Sequence, residues 1–132
     1  MSHYMSNLRD LQFNLFEAYG VGEYLGVEPF EEFDRDTAMD MLREIDRLAT
    51  EDFAESFVEA DRTKLKLVDG NVELPPGVKK SLDALHDGGW HLMGVTQSLG
   101  GFGAPDALRW AGSELFAGAN AAVYLYAIGG LM

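Results

Sequence analysis

From Leu115 to Met132 the chain has eighteen consecutive residues without a charged side chain, and it enters them through the run Ser98-Leu99-Gly100-Gly101-Phe102-Gly103-Ala104-Pro105. An apolar stretch of that length must be covered by protein or by lipid. It is near the lower limit for a membrane span, but it contains Asn120, divides at Gly118-Ala119-Asn120 and has no basic residues beside it. Two buried helices of a water-soluble fold are the expectation. Because the run stops at Met132 with nothing to cover its far side, the sequence is read as one half of an interior whose other wall lies elsewhere.

A chain of 132 residues supports one modest core. Cysteine is absent, which excludes disulfides, thiolate catalysis and cysteine-ligated metal centres. With no basic, apolar leader at Met1-Ser2-His3-Tyr4, a reducing, cytoplasmic setting is expected. The net charge of −12 falls between Glu17 and Asp61, where fifteen acidic residues meet only Arg35, Arg43 and Arg47. Such a surface opposes nucleic-acid phosphates and anionic lipid, so neither is an expected partner. The acidic stretch itself is read as a solvated helix surface.

Residues 7–19 place Leu8, Leu11, Phe13, Leu15 and Phe16 on a helix capped by Ser6 or Asn7 and ended by Gly20. Tyr24, Leu25, Val27, Phe30 and Phe33 prolong this apolar character, so residues 1–35 are read as an N-terminal docking segment. Over 36–61, Ala38, Leu42, Ile45, Ala49, Phe53 and Phe57 recur at three- and four-residue steps, with Asp34 or Asp36 as cap and either a kink or a break into two helices expected at Thr50-Glu51-Asp52. Residues 64–68 and 71–74 alternate around Asp69-Gly70, which predicts a short exposed hairpin leaning on the helices.

Pro75-Pro76 opens a helix that Gly88-Gly89 closes. Residues 90–95 are predicted to cross in extended form, after which Pro105 starts a helix with Ala107, Leu108, Ala111 and Leu115 on one side, ending at Gly118. Asn120 is the predicted N-cap of a last helix over 121–128, terminated by Gly129-Gly130. The fold class is therefore mostly α with one short β-hairpin.

Little in this sequence announces chemistry. His86 and His91 flank a diglycine break with no third ligand in view, so no metal is expected. Glu31-Glu32 are adjacent and point apart on a helix, while Ser98 and Ser113 lack a nucleophile-elbow context, so no catalytic residue is assigned. The Gly100-Gly101-Phe102-Gly103 loop lacks the full dinucleotide fingerprint and the lysine of a P-loop. Its glycines are read as permitting a tight turn or a close backbone approach.

The order of these features resembles the acyl-CoA dehydrogenases, in which helices lead to a Gly-Gly-x-Gly loop, then a helix, then a second apolar helix lining part of the acyl pocket. Gly100-Gly101-Phe102-Gly103 stands where that loop belongs. The stretches Ser2-His3-Tyr4-Met5-Ser6-Asn7-Leu8-Arg9-Asp10, Ala54-Glu55-Ser56-Phe57-Val58-Glu59-Ala60-Asp61-Arg62 and Asp87-Gly88-Gly89-Trp90 resemble the long bacterial branch. Thr96-Gln97 stands where members often have Pro-Glu.

The resemblance implies that residues 36–132 form the helical N-terminal domain, without the β-barrel and C-terminal helical bundle that follow in the family. It implies a flavin enzyme, with FAD in the intact protein, that oxidises fatty acyl-CoA at its α,β bond. No cofactor and no activity are expected of this chain alone. Asn120, Ala121, Val123, Tyr124 and Ala127 are the implied lining of one pocket wall. The implied partners are the missing catalytic domains or a partner subunit, and a homo-oligomer is expected. The alternative is a non-enzymatic acidic helical module that binds an apolar ligand or a partner subunit.

Overall fold

Asp34 begins the framework of the molecule: its Oδ1 accepts a hydrogen bond from the Thr37 N–H at 2.7 Å, capping helix α2 (Arg35–Leu48). The computed structural model describes residues 2–128. Helix α2 turns Ala38, Met39, Leu42, Ile45 and Leu48 inward. A π-helical stretch, Ala49–Phe53, prolongs it and buries Phe53 completely before α3 (Phe57–Arg62) begins. The break expected at Thr50-Glu51-Asp52 is thus a widened turn followed by a change of direction. Complete burial of Leu42, Ile45 and Phe53 contributes about 1.5–3 kcal/mol each.

The N-terminal segment settles on the same core. Asn7 caps α1 (Leu8–Gln12), a π-helical stretch continues it over Phe13–Ala18, and Gly20 turns the chain at φ +61°. Leu11, Leu15, Val21 and Phe33 all join the buried cluster formed by α2. Farther upstream, the His3 imidazole stacks on Phe57 at 4.1 Å, and its Nε2 donates to the Ala119 carbonyl at 3.0 Å.

Strands β1 (Lys66–Val68) and β2 (Asn71–Glu73) pair antiparallel, with Leu67 opposite Val72, around a turn in which Asp69 and Gly70 both have positive φ. Both strands are exposed, and Leu74 anchors the hairpin's exit against the core. Helix α4 (Pro76–Asp87) then turns Val78, Ser81, Leu82 and Leu85 inward.

Residues 90–95 do not cross in extended form as their sequence predicts. Gly89 adopts φ +69°, Trp90–Leu92 form a 3₁₀ turn, and the chain doubles back. The cause is non-local. The carbonyls of Leu92, Met93 and Val95 accept from the N–H groups of Phe102, Ala104 and Gly103 at 3.1, 2.9 and 2.8 Å, so the returning loop fixes the shape of the outgoing one.

Helix α5 (Asp106–Ile128) packs against α2, the Ala49–Phe53 stretch, α3 and α4. It lies so close to α2 that a Cβ on Gly112 would come within 2.9 Å of Ile45 Cδ1. Its first part runs to Ala119, one residue past the Gly118 stop read from the sequence, and breaks at Asn120, whose φ of −159° and ψ of 91° are not helical. The Asn120 side chain then caps the second part by accepting from the Val123 N–H at 3.2 Å, as its sequence context predicts. The expected Gly129-Gly130 terminator lies outside the described residues. Among the described residues, no helix is long and apolar enough to cross a membrane.

Candidate functional site

The glycine loop is a device for shape. Gly100 holds φ +84°, and a Cβ on Gly101 would collide with the Val95 backbone, so a close approach of main chain to main chain sets this position. The N–H groups of Gly100, Gly101, Phe102, Gly103 and Ala104 are all directed at carbonyls between Met93 and Gln97 or at Leu92. With those donors spent, the loop has no cradle to offer a phosphate or a cofactor's diphosphate. Gln97 donates through Nε2 to Glu32 at 2.6 Å and so ties the loop to the N-terminal segment.

The loop delivers the chain into α5, whose second part is aimed by a buried polar cluster. Asn120 is 1% exposed, and its Nδ2 donates to the Phe53 carbonyl at 3.2 Å and to Ser56 Oγ at 3.0 Å. Ser56 Oγ in turn meets Ser81 Oγ at 2.8 Å, and the Asp52 and Gly77 carbonyls, at 2.9 and 3.0 Å from Ser81 Oγ, are alternative acceptors for its one proton. One asparagine therefore joins the break in α5 to the π-helical turn and to α4. A buried polar cluster with every member paired specifies a single arrangement.

The five residues implied as a pocket wall divide by helical face. Asn120 and Val123 point into the core, Val123 being fully buried. Ala121 is exposed on the outward side, beside Leu125 at 63% exposure. Tyr124 and Ala127 are half-buried and line a cavity of about 70 Å³ together with Leu85, Trp90, His91, Met93, Gly94, Arg109, Gly112, Ser113 and Phe116. The structure thus brings together two of the five, and adds residues from α4, the 90–95 turn and the first part of α5 that the sequence did not single out. Only the glycine at 112, placed where two helices meet, hinted at this convergence.

His91 is the chemically distinctive member of the lining. Its Nδ1 is shielded from solvent and has no hydrogen-bond partner. Burial pushes the imidazole below the usual histidine range, and the His86 ring, edge-on at 4.7 Å, pushes it further. The Leu85 backbone opposes both without giving Nδ1 a well-aligned hydrogen bond. Among the described residues, no three histidine, aspartate or glutamate side chains gather as a metal site. Ser98 stays on the exposed loop, where its hydroxyl meets that of Thr96.

Comparison with known proteins gives the chain relatives. Over 131 residues, 98% of its length, it is 48% identical to the broad-specificity linear acyl-CoA dehydrogenase FadE5 of Mycobacterium tuberculosis. Over 112 residues it is 27% identical to the 3-methylmercaptopropionyl-CoA dehydrogenase of Ruegeria pomeroyi. The chain spans about a fifth of the length of these relatives, 21% and 19% respectively. No family model matches it.

Proposed function

We infer that this chain, related by sequence to the acyl-CoA dehydrogenases along nearly all of its length, is the N-terminal helical domain of a long-form bacterial member of that family. The observation that supports this reading is the 48% identity over 98% of the chain. In the intact enzyme of this reading, bound FAD would supply a hydride acceptor: oxidation of a fatty acyl-CoA to its trans-2-enoyl form would send the β-hydride to the flavin and the α-proton to a protein base that is not assigned in this chain. The N–H groups of the glycine loop are already paired with main-chain carbonyls, so in this reading the loop itself is not the seat of the cofactor's diphosphate.

The contribution of these 132 residues is one wall of the acyl pocket, presented by the second part of α5. Tyr124 and Ala127 give it an apolar flank with one phenolic hydroxyl, Ala121 continues it outward, and Asn120 and Val123 fix its angle from within. An apolar surface with few polar groups suits an alkyl chain. Residues 1–35 act as a strap that braces residues 36–132, and the exposed apolar residues of α5 meet the remaining domains or a second subunit of a homo-oligomer.

The test uses the full-length enzyme carrying this segment, assayed with linear acyl-CoAs of increasing length and an artificial electron acceptor. Ala127→Trp is expected to lower kcat/KM for the longer substrates tenfold or more, about 1.4 kcal/mol, and to spare the shortest. Equal loss at every length would refute the wall, and no acyl-CoA oxidation by the unmodified enzyme would refute the family activity. The 132-residue chain alone is expected to show neither flavin absorbance nor turnover.

A further inference from the structure

Strand β1 has a free edge. The hairpin is a sheet of two strands, and among the described residues no backbone group outside it bonds to residues 64–68. Its side chains sort by face. On one face Leu67, 74% exposed, lies opposite Val72, and Leu65 and Leu74 carry the apolar character into a groove lined also by Ala60, Val78, Ala122 and Tyr126. The other face of β1 carries Lys64 and Lys66, with Lys66 opposite Glu73. Arg62, Lys64 and Lys66 make no ion pair with any described residue. A two-stranded ribbon is marginal by itself, and an exposed edge with apolar side chains is a template for a further strand.

We propose that the free edge of β1 is a docking site for an extended segment of a partner protein that alternates acidic and apolar residues. Strand β2 shows what β1 accepts, since it sets Val72 against Leu67 and Glu73 against Lys66. The side chains of β1 stand above and below the sheet, so they are offered equally to a strand on the other edge. Acidic side chains of that strand meet Lys64 and Lys66, and its apolar side chains extend the face of Leu65 and Leu67. Charge selects the partner. From Arg62 to Lys80 the sequence has five cations and two carboxylates, within a chain whose net charge is −12. Lysine on an edge repels a basic strand and admits an acidic one. A second copy of this chain is a poorer occupant. Pairing β1 with β1 brings lysines together, and pairing β1 with the β2 of another copy leaves free edges that grow without closure against mutual repulsion. The docking edge stands on the hairpin alone, whatever reaction the intact protein performs.

The test titrates the 132-residue chain with three end-blocked hexapeptides, following the backbone amide signals of residues 62–74 by NMR. One peptide alternates glutamate with valine, one alternates lysine with valine, and one places all its glutamates before its valines. The alternating acidic peptide is expected to shift the amides of Lys64–Val68 and to slow exchange of those not bonded to β2. The other two should bind at least about tenfold more weakly. Lys64→Glu and Lys66→Glu together should transfer the preference to the lysine peptide, with the far-UV circular dichroism unchanged. Leu67→Thr, at an exposed position, should weaken the acidic peptide about threefold and serves as the test if the charge-reversed variant does not fold. The proposal is overturned if the alternating acidic peptide leaves residues 64–68 unmoved, if the block peptide binds as tightly, if the preference survives charge reversal, or if Leu67→Thr binds unchanged. Hairpin signals that broaden with protein concentration alone would also overturn it and assign the edge to a second copy.

Discussion

Replacing Asn120 by alanine tests the central joint of the domain. The side chain is 1% exposed and makes three hydrogen bonds: Oδ1 accepts from the Val123 N–H, and Nδ2 donates to the Phe53 carbonyl and to Ser56 Oγ. Alanine leaves the Val123 N–H buried without a partner, at about 1–3 kcal/mol, and removes two further bonds worth about 0.5–1.5 kcal/mol each. The Phe53 carbonyl keeps the Ser56 hydroxyl as an available donor at 3.2 Å, so it adds no orphan penalty, and the sum centres on about 4 kcal/mol. Against a total stability of about 5–15 kcal/mol this is a large fraction. In a domain of this size it corresponds to a fall in Tm of about 10–20 °C. Urea unfolding followed by circular dichroism, with m-values compared, measures it directly. Asn120→Ser retains the cap and should recover about 1 kcal/mol relative to alanine. A loss below about 1 kcal/mol for Asn120→Ala, or equal losses for serine and alanine, would refute the assigned network.

In the glycine loop, Gly101→Ala should destabilise by about 1–3 kcal/mol, because the added methyl meets the Val95 backbone. Gly100→Ala has open space around it and should cost only about 1 kcal/mol for its positive φ; an inverted ranking by thermal unfolding would contradict the close approach. Tyr4, whose phenol is raised from 10.0 to about 12 by burial and by Asp46 and Glu114, binds its proton more tightly when folded. Stability should therefore fall as pH rises from about 10 to about 12, and Tyr4→Phe should flatten that limb of the curve. His91 shows the opposite linkage, since its folded form resists protonation: stability should fall as pH drops below 6.5, and His91→Phe should lessen the fall. Asp34 is held below its ordinary range by the Thr37 and Asp36 N–H groups, so its share of stability, present above the usual carboxylate range, should disappear as pH falls through the depressed value, and Asp34→Ala should remove that acid limb.

What the sequence disclosed was the chemistry that acts over a few residues. Asn7, Asp34 and Asn120 could be read as caps because a cap needs only its own side chain and an N–H two or three residues on. The Asp69-Gly70 turn and the Pro76 helix start were legible for the same reason. Residues 90–95 were misread because their shape is set by hydrogen bonds from 102–104, which no local pattern announces. The lining of the cavity beside α5 was only partly legible. In Ala121-Ala122-Val123-Tyr124-Leu125-Tyr126-Ala127 nearly every position is apolar, so no periodicity marks the inner face. The inner face is selected by the Phe53 carbonyl, 67 residues upstream of Asn120.

The hydrogen bond from His3 to the Ala119 carbonyl also bears on how the molecule is made. Its two partners are 116 positions apart, and the acceptor is the last residue before the break in α5. At roughly 5–20 residues per second, a ribosome completes Ala119 some 5–25 seconds after His3. Throughout that interval the outer end of the segment, where His3 meets Ala119 and Tyr4 lies against Gly118, has no seat, and these two rings are open to chaperones or to another nascent chain. Bulky additions next to Ser2 should therefore reduce the yield of folded protein more than they reduce the stability of protein already folded.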